Sequence, residues 1–251
     1  MFETAQDYQV AAFIGLAVVF ELLERVRPAR EVDRWKDLKI DIFSFALAIL
    51  LNRLCHQAVS AGARAVAPHF VLSAVAWLQG LPSLLKLVPG FLLVDFIIYW
   101  IHRAQHRFDL LWRTHAWHHS IEQLYWFSGF RTSFFHSFLY AIPATAIPIL
   151  LLKLSPLEAG IGYSFALLVQ FWEHTNFKVN IGPLAWVFIT PDYHRVHHST
   201  EHSRSNYGTT FSFWDRMFGT YTNPAIVPTS APLGLGEPVE RRQLPRMWVG
   251  V

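Results

Sequence analysis

At 251 residues the chain could make one or two domains, but 53% of it is AVILMFWYC and only 16% is charged, against about 25% charged in average soluble domains. Its mean hydropathy of +0.26 places part of the chain in lipid. The one cysteine, Cys55, excludes an internal disulfide framework and any cysteine-built zinc site. A pI of about 9.1 and a net charge of +3 come from basic residues set beside apolar segments, which argues for membrane topology signals and against nucleic acid.

Glu3 and Asp7 stand where a positive n-region would be, so no cleavable signal is expected. Residues 10–23 are apolar up to Glu21 and, with their flanks, reach the roughly 20 residues a spanning helix needs. Arg25, Arg27, Arg30, Arg34, Lys36 and Lys39 follow, the densest cationic loop, which belongs on the cytoplasmic side. Residues 40–51, continuing through 61, make the second span. Residues 70–79 and 81–87 are apolar but broken by Gly80, Pro82 and Pro89, and are expected to be interfacial or re-entrant. Residues 88–101 bring the chain back and deliver His102 to the cytoplasmic face. A helical hairpin follows, with arms 134–152 and 157–171 and a turn at 153–156, and it sets His136 and His174 level with the first histidine cluster. From 175 onward there is no long apolar run, and 223–245 holds several prolines and reads as irregular. These segments predict an all-α integral membrane protein of four to five membrane-embedded helices under a cytosolic His-rich helical cap that holds a di-metal site.

Residues 99–120 organise the chain and hold five of its 13 histidines. His102 and His106 are four apart, while His115, His118 and His119 stand at i, i+3 and i+4, so each set is expected to aim its imidazoles at one spot on a helix. The triplet spacing returns as His194, His197 and His198. Imidazole suits zinc, copper, iron and nickel, whereas magnesium and calcium prefer oxygen. Eight such ligands exceed the roughly four of a structural zinc and suffice for two metals with open positions; His174 adds a ninth, with Gln170 one turn before it on the same face. His136 begins an apolar helix, where an unpaired imidazole is costly, and is expected to be hydrogen-bonded or near the site. His56, His69 and His202 lack partners at helical spacing and are read as non-ligands. Asp95, Tyr99, His102 and His106 form a 4-3-4 stripe, so Asp95 either orients a ligand imidazole or pairs with an arginine of a neighbouring helix. Asp192, Asp109 and Glu173 sit beside ligands in sequence and are weaker candidates for orienting them.

The blocks His102-Arg-Ala-Gln-His106, Leu111-Trp-Arg-Thr-His115-Ala-Trp-His118-His119-Ser, Thr190-Pro-Asp-Tyr-His194-Arg-Val-His197-His198-Ser, Asn206-Tyr-Gly and Phe213-Trp-Asp-Arg-Met-Phe-Gly-Thr-Tyr resemble, in order, those of the fatty acid hydroxylase and sterol desaturase superfamily of membrane metal oxygenases. The resemblance covers about residues 88–222. It implies a single unit over 1–251, with N-terminal membrane helices in 1–87, the hydroxylase-like catalytic region in 88–222 and an irregular tail in 223–251. It also implies two iron ions on the cytosolic side, dioxygen as co-substrate, and hydroxylation or desaturation of a sterol-like or fatty acyl lipid drawn from the bilayer. Electrons must come from an external donor (a cytochrome b5-like protein, a ferredoxin or a reductase), because the chain has no CxxCH, no iron-sulfur cysteines and no Rossmann glycine fingerprint. Two departures stand out: the family's HxxxH between the triplets reads Gln170-Phe-Trp-Glu-His174 here, and the arginine block after the first triplet reads Arg131-Thr-Ser-Phe-Phe-His136. Two other classes compete, a metal-handling transporter, whose histidines should line the spans near the midplane, and a zinc-dependent lipid hydrolase, which would need fewer ligands.

Overall fold

The computed structural model describes residues 5–69 and 76–251. Among these residues the fold is helical, with three isolated β-bridges and no strand. Helix α1 spans Ala5–Val26 and α2 spans Leu38–Val66, about 33 and 44 Å long at 1.5 Å per residue. Val10, Ile14, Val18 and Leu22 recur every fourth residue on α1 and each is more than half exposed. An outward apolar stripe of this kind is the reverse of a helix packed in a water-soluble domain. Residues 70–75, part of the segment expected to be interfacial, lie outside the described residues; 76–79 form the one-turn helix α3, Ala76–Gln79.

Helix α4 runs unbroken from Ser83 to Arg107. Residues 83–87, expected at the interface, are therefore its first turns. Pro82 is the residue before the helix and Pro89 falls near its start, so the only intrahelical bond forfeited is the one Pro89 has no N–H to make. Two helical segments, Leu85–Arg107 and Phe134–Leu152, are long and apolar enough to cross a membrane by length and composition. The second joins α6, Phe134–Ile147, to a π-helical turn at Pro148–Leu152. Lys153 then reverses the chain in the left-handed conformation (φ 47°), and α7 runs from Pro156 to His174. Ser155 caps α7 through a reciprocal bond pair with Glu158, and the Glu158 carboxylate also meets Lys86 of α4 at 2.8 Å. In the bundle α1 packs on α7, α2 on α6, and α4 on both α5 and α6.

A single extended residue, Phe108, ends α4 and opens α5, Asp109–His119, so the two helices fold against each other. Above the bundle lie α8, Pro191–His197, α9, Phe213–Met217, and α10, Leu244–Val249. The tail carries more order than its prolines suggest: 3-10 turns form at Pro224–Ile226 and Arg241–Gln243, and Leu233 is buried with Ile121 and Leu124. Apolar burial on that scale holds an otherwise irregular strap.

Candidate metal centre

Nine histidines meet where α4, α5, α7 and α8 end, and none is more than 8% exposed. They fall into two groups. His102, His106, His115, His119 and His197 form one; His118, His174, His194 and His198 form the other, with one ligand-capable atom per residue within 4.8 Å of the rest of its group. Each triplet is thus split. Steps of +3 and +4 on a helix with 3.6 residues per turn point about 100° apart, so the i, i+4 pairs His115/His119 and His194/His198 go to opposite groups, and the i+3 members His118 and His197 cross over. The rings of His119 and His198 stack at 4.5 Å where the groups touch.

The outer nitrogens decide what the inner ones can do. His102 Nδ1 and His197 Nδ1 donate to the carbonyls of Tyr207 and Ser205, each at 2.8 Å. His118 Nδ1 and His174 Nδ1 donate to the carbonyls of Arg131 and Gln170 at 3.1 and 2.9 Å. A neutral imidazole that donates from Nδ1 has only a lone pair at Nε2. His118 Nε2 and His174 Nε2 nevertheless face each other at 3.2 Å. His194 and His198 close a ring of four Nε2 atoms with sides of 3.1 to 3.2 Å. In the first group, His102 Nε2 faces His115 Nε2 and His119 Nε2 faces His197 Nε2, both at 2.9 Å.

Protonation would relieve the opposed lone pairs, but burial opposes it. Burial pushes His118 down to about 4 and, with smaller contributions from neighbouring imidazoles, holds His115, His119, His194, His197 and His198 well below the usual histidine range. A cation would relieve them at once, since it would accept all the inward lone pairs of a group together. All-imidazole donors suit iron, copper, zinc or nickel. The residues therefore fit two such ions.

The supporting shell comes from far along the chain. Arg131, whose carbonyl holds His118, sends Nη2 to Asp41 and Asp37 at 2.7 and 3.0 Å. Glu24 of α1 accepts from Thr175 Oγ1 at 2.9 Å and from the Asn176 N–H at 2.6 Å, fixing the chain just beyond His174. Asp215 accepts from the N–H groups of Tyr207 and Gly208, both at 2.8 Å, and from the Tyr193 hydroxyl, which sets the Tyr207 carbonyl beneath His102. A Cβ on Gly129 would overlap the His174 ring, so only glycine lets this backbone pass. No local sequence pattern marks Gly129, and sequence reading passed over Glu24 and Asp41, although a carboxylate on a helix that also carries apolar runs is a signal that could have found them.

The remaining candidates lie around the two groups. His136 Nδ1 is 3.0 Å from His115 Nδ1 and its ring stacks on His115; accepting there leaves His115 Nε2 as a lone pair aimed at the first group. Asp95 meets neither an imidazole nor an arginine; it accepts from Thr209 Oγ1 at 2.8 Å, Thr210 N–H at 3.0 Å and Trp214 Nε1 at 2.9 Å, tying α4 to the segment that follows Tyr207. Asp192 pairs with Arg195. Glu173 brings Oε1 to 3.5 Å from His174 Nδ1 and Oε2 to 3.9 Å from His194 Nδ1. His56 bonds Thr145 Oγ1 at 2.6 Å, and neither it, His69 nor His202 joins a group.

Gln170 Nε2 donates to the Gly129 carbonyl at 2.8 Å, on the Nδ1 side of His174 and away from the ring of Nε2 atoms. Gln170→Ala is therefore expected to keep both metals and slow turnover about 10- to 100-fold, the scale of losing a group that orients a ligand. Metal analysis of the purified variant checks this, and loss of one ion would show that the amide ligates.

A family model described as "Fatty acid hydroxylase" matches residues 87–220, the stretch that carries all nine histidines. The chain belongs to the fatty acid hydroxylase family. Its relatives include the alkylglycerol monooxygenase of Xenopus tropicalis, 41% identical over 137 residues, which are 52% of this chain and 29% of that protein. The ornithine lipid hydroxylase OlsE of Rhizobium tropici is 29% identical over 234 residues, 89% of this chain and 69% of that protein. The sphingolipid C4-hydroxylase SUR2 of Saccharomyces cerevisiae is 30% identical over 141 residues, 55% of this chain and 40% of that protein. The matches span about a third of the alkylglycerol monooxygenases of Xenopus tropicalis, Danio rerio and Homo sapiens. No solved structure matches the chain. As a fatty acid hydroxylase family member with Gln170 in place of the first histidine of the central HxxxH, it has five imidazoles in one group and four in the other.

Proposed function

We propose that this protein is a membrane-bound di-iron oxygenase that uses dioxygen and two externally supplied electrons to hydroxylate or desaturate a C–H position of a lipid. The observation that carries the reading is the pair of imidazole groups whose buried lone pairs oppose one another at about 3 Å. Relatives named for alkylglycerol, ornithine lipid and sphingolipid substrates support a lipid. The names monooxygenase and hydroxylase favour hydroxylation over desaturation.

When bound, the two irons would supply the reductive activation of dioxygen that an unactivated C–H bond requires. The protein's own part is positional. His102, His106, His115, His119 and His197 would hold one ion, and His118, His174, His194 and His198 the other. Carbonyls of Tyr207, Ser205, Arg131 and Gln170 fix four of these rings in the tautomer that presents Nε2. An apolar cleft of about 300 Å³, lined by Ile97, Trp100, Ile101, Ala104, Leu111 and Leu139, opens along the faces of α4, α5 and α6. It suits an acyl or alkyl chain entering sideways from the bilayer, since every lining residue except Trp100 is purely hydrocarbon. Supplying purified protein with ¹⁸O₂, a chemical reductant and bilayer lipid should put one labelled oxygen into a hydroxylated lipid, or release labelled water alongside a desaturated one; no lipid consumed, or a product labelled only from water, would contradict the reading.

The reading also places four to five helices in the membrane, with those of 1–87 bracing the 88–222 region and the histidines on the cytoplasmic side. The loop at 25–39 carries six cations, the signal that keeps a loop inside. Its carboxylate partners reach the ligand-bearing loops directly: Arg34 pairs with Glu24 at 2.7 Å, and Glu24 holds Thr175. Reporter fusions at residue 35 and at the C-terminus should therefore report the same, cytoplasmic side. Opposite signals would overturn the topology.

A further inference from the structure

Helix α8 has two working faces. His194 and His197 turn toward the imidazole groups, while Asp192, Arg195 and Val196 line a cleft of about 590 Å³ on the other side. Arg27 and Lys178 also line it, so three cations face one carboxylate. Arg195 is 4% exposed and bonds Asp192 through Nη1 alone; its Nε and Nη2 have no hydrogen-bond partner. A buried guanidinium with two unused donors costs free energy unless a ligand accepts from them. Arg30 sharpens the imbalance: its Nη1 donates at 3.0 Å to the carbonyl of Ala231, another lining residue, and burial and then the Arg195 charge hold it below the usual arginine range.

The location says what kind of anion fits. Arg27 follows directly on Val26, the last residue of α1, which is 82% exposed and ends the outward apolar stripe. Lys178 comes just after α7, and its N–H donates to the Arg27 carbonyl at 2.9 Å. The cleft thus begins where the apolar surface of two bundle helices stops, at the level where a bilayer changes from hydrocarbon to headgroup.

We propose that this cleft binds the phosphate headgroup of a bilayer lipid, with Arg195 as the forked donor and Arg27 and Lys178 as the outer cations. The proposal rests on the membrane placement given above but not on the metals or the reaction. A phosphate with oxygens free on one side can take both Nε–H and Nη2–H of one guanidinium in parallel, a pairing that ammonium cannot imitate. Asp192 competes with the ligand for the same guanidinium, so its removal should tighten binding.

The test is equilibrium binding to the whole protein in a non-ionic detergent, read by calorimetry, with dihexanoyl phosphatidic acid, dihexanoylglycerol and inorganic phosphate as the three probes. Phosphatidic acid should bind about tenfold or more tightly than either of the others, the scale of a charge-assisted bond gained. Arg195→Gln should remove that preference, Lys178→Gln should weaken it, and Asp192→Asn should strengthen binding. Lys178 is exposed, so its variant reports even if Arg195→Gln does not fold. Equal affinity for the neutral lipid, or wild-type binding by Lys178→Gln together with either wild-type binding or misfolding of Arg195→Gln, would overturn the proposal. Inorganic phosphate binding as tightly as the lipid would also overturn it, marking a site for a free anion. Metal content and turnover are not read, so failure here is distinct from failure of the oxygenase reading.

Discussion

His118→Ala or His174→Ala should lower the metal content from two ions per chain to one and cut lipid oxidation about a thousandfold or more, with the protein still inserted in the membrane. Both residues belong to the four-imidazole group, where no spare ligand exists. Both are also anchored by a carbonyl at Nδ1, which holds each Nε2 lone pair on the group, so either change removes an oriented donor. Losing one ion removes charge stabilisation worth several kcal/mol from any step that needs both. The bundle should survive, because its helices are held by apolar packing that these changes leave alone. His106→Ala is the internal contrast: it comes from the five-imidazole group, its Nε2 has no partner, and four ligands remain, so its metal loss should be smaller. Metal analysis alongside a product assay decides. Full metal and activity in both His118→Ala and His174→Ala would remove the four-imidazole group from the account.

Arg131→Met should destabilise the protein more than any single ligand change. Arg131 is 3% exposed and lies over the Trp117 ring, 5.5 Å from its centroid. Its Nε donates to Asp41 Oδ1 at 2.8 Å, and Nη1 donates to the Ser120 carbonyl at 3.2 Å. Asp41, 1% exposed, is left with the Tyr125 hydroxyl at 3.0 Å and no cation. Breaking a buried pair in this way costs about 3–5 kcal/mol because a charge stays buried and uncompensated. The same change loosens the Arg131 carbonyl under His118, so stability and metal content should fall together. Thermal unfolding in detergent checks the first and metal analysis the second. Arg131→Met combined with Asp41→Asn should recover part of the stability, since no charge is then stranded. A single variant as stable as the native chain would show that the pair is not structural.

How much of this was legible in the sequence depended on whether the signal was local. Spacings of three and four within one helix are local, and so eight of the nine histidines could be singled out before any fold was known; His174, with Gln170 in place of a partner histidine, carried a weaker signal. Their division was missed: the 100° between the +3 and +4 steps already parts His118 from His115 and His119, but which imidazoles each direction meets is set by α4, α7 and α8, far along the chain. Asp95 shows the same limit: the 4-3-4 stripe places it on the inner face of α4, but its partners Thr209 and Thr210 are 114 and 115 residues away, and no spacing rule reaches that far. Glu24 and Asp41 were not singled out in the sequence at all, and their partners lie in loops after α5 and α7. Gly129 left no trace at all, since its role is the absence of a side chain beside His174. The turns around Pro82 and Pro89 misled in the opposite direction, because two prolines near a helix start disturb it far less than their reputation as helix breakers implies.

Metal stoichiometry bears on the central claim most directly. Protein purified in mild detergent from cells grown with ample iron should contain two irons per chain, and Gln170→Ala should contain the same number. One zinc per chain, or metal in only one of the two imidazole groups, would contradict a di-iron oxygenase.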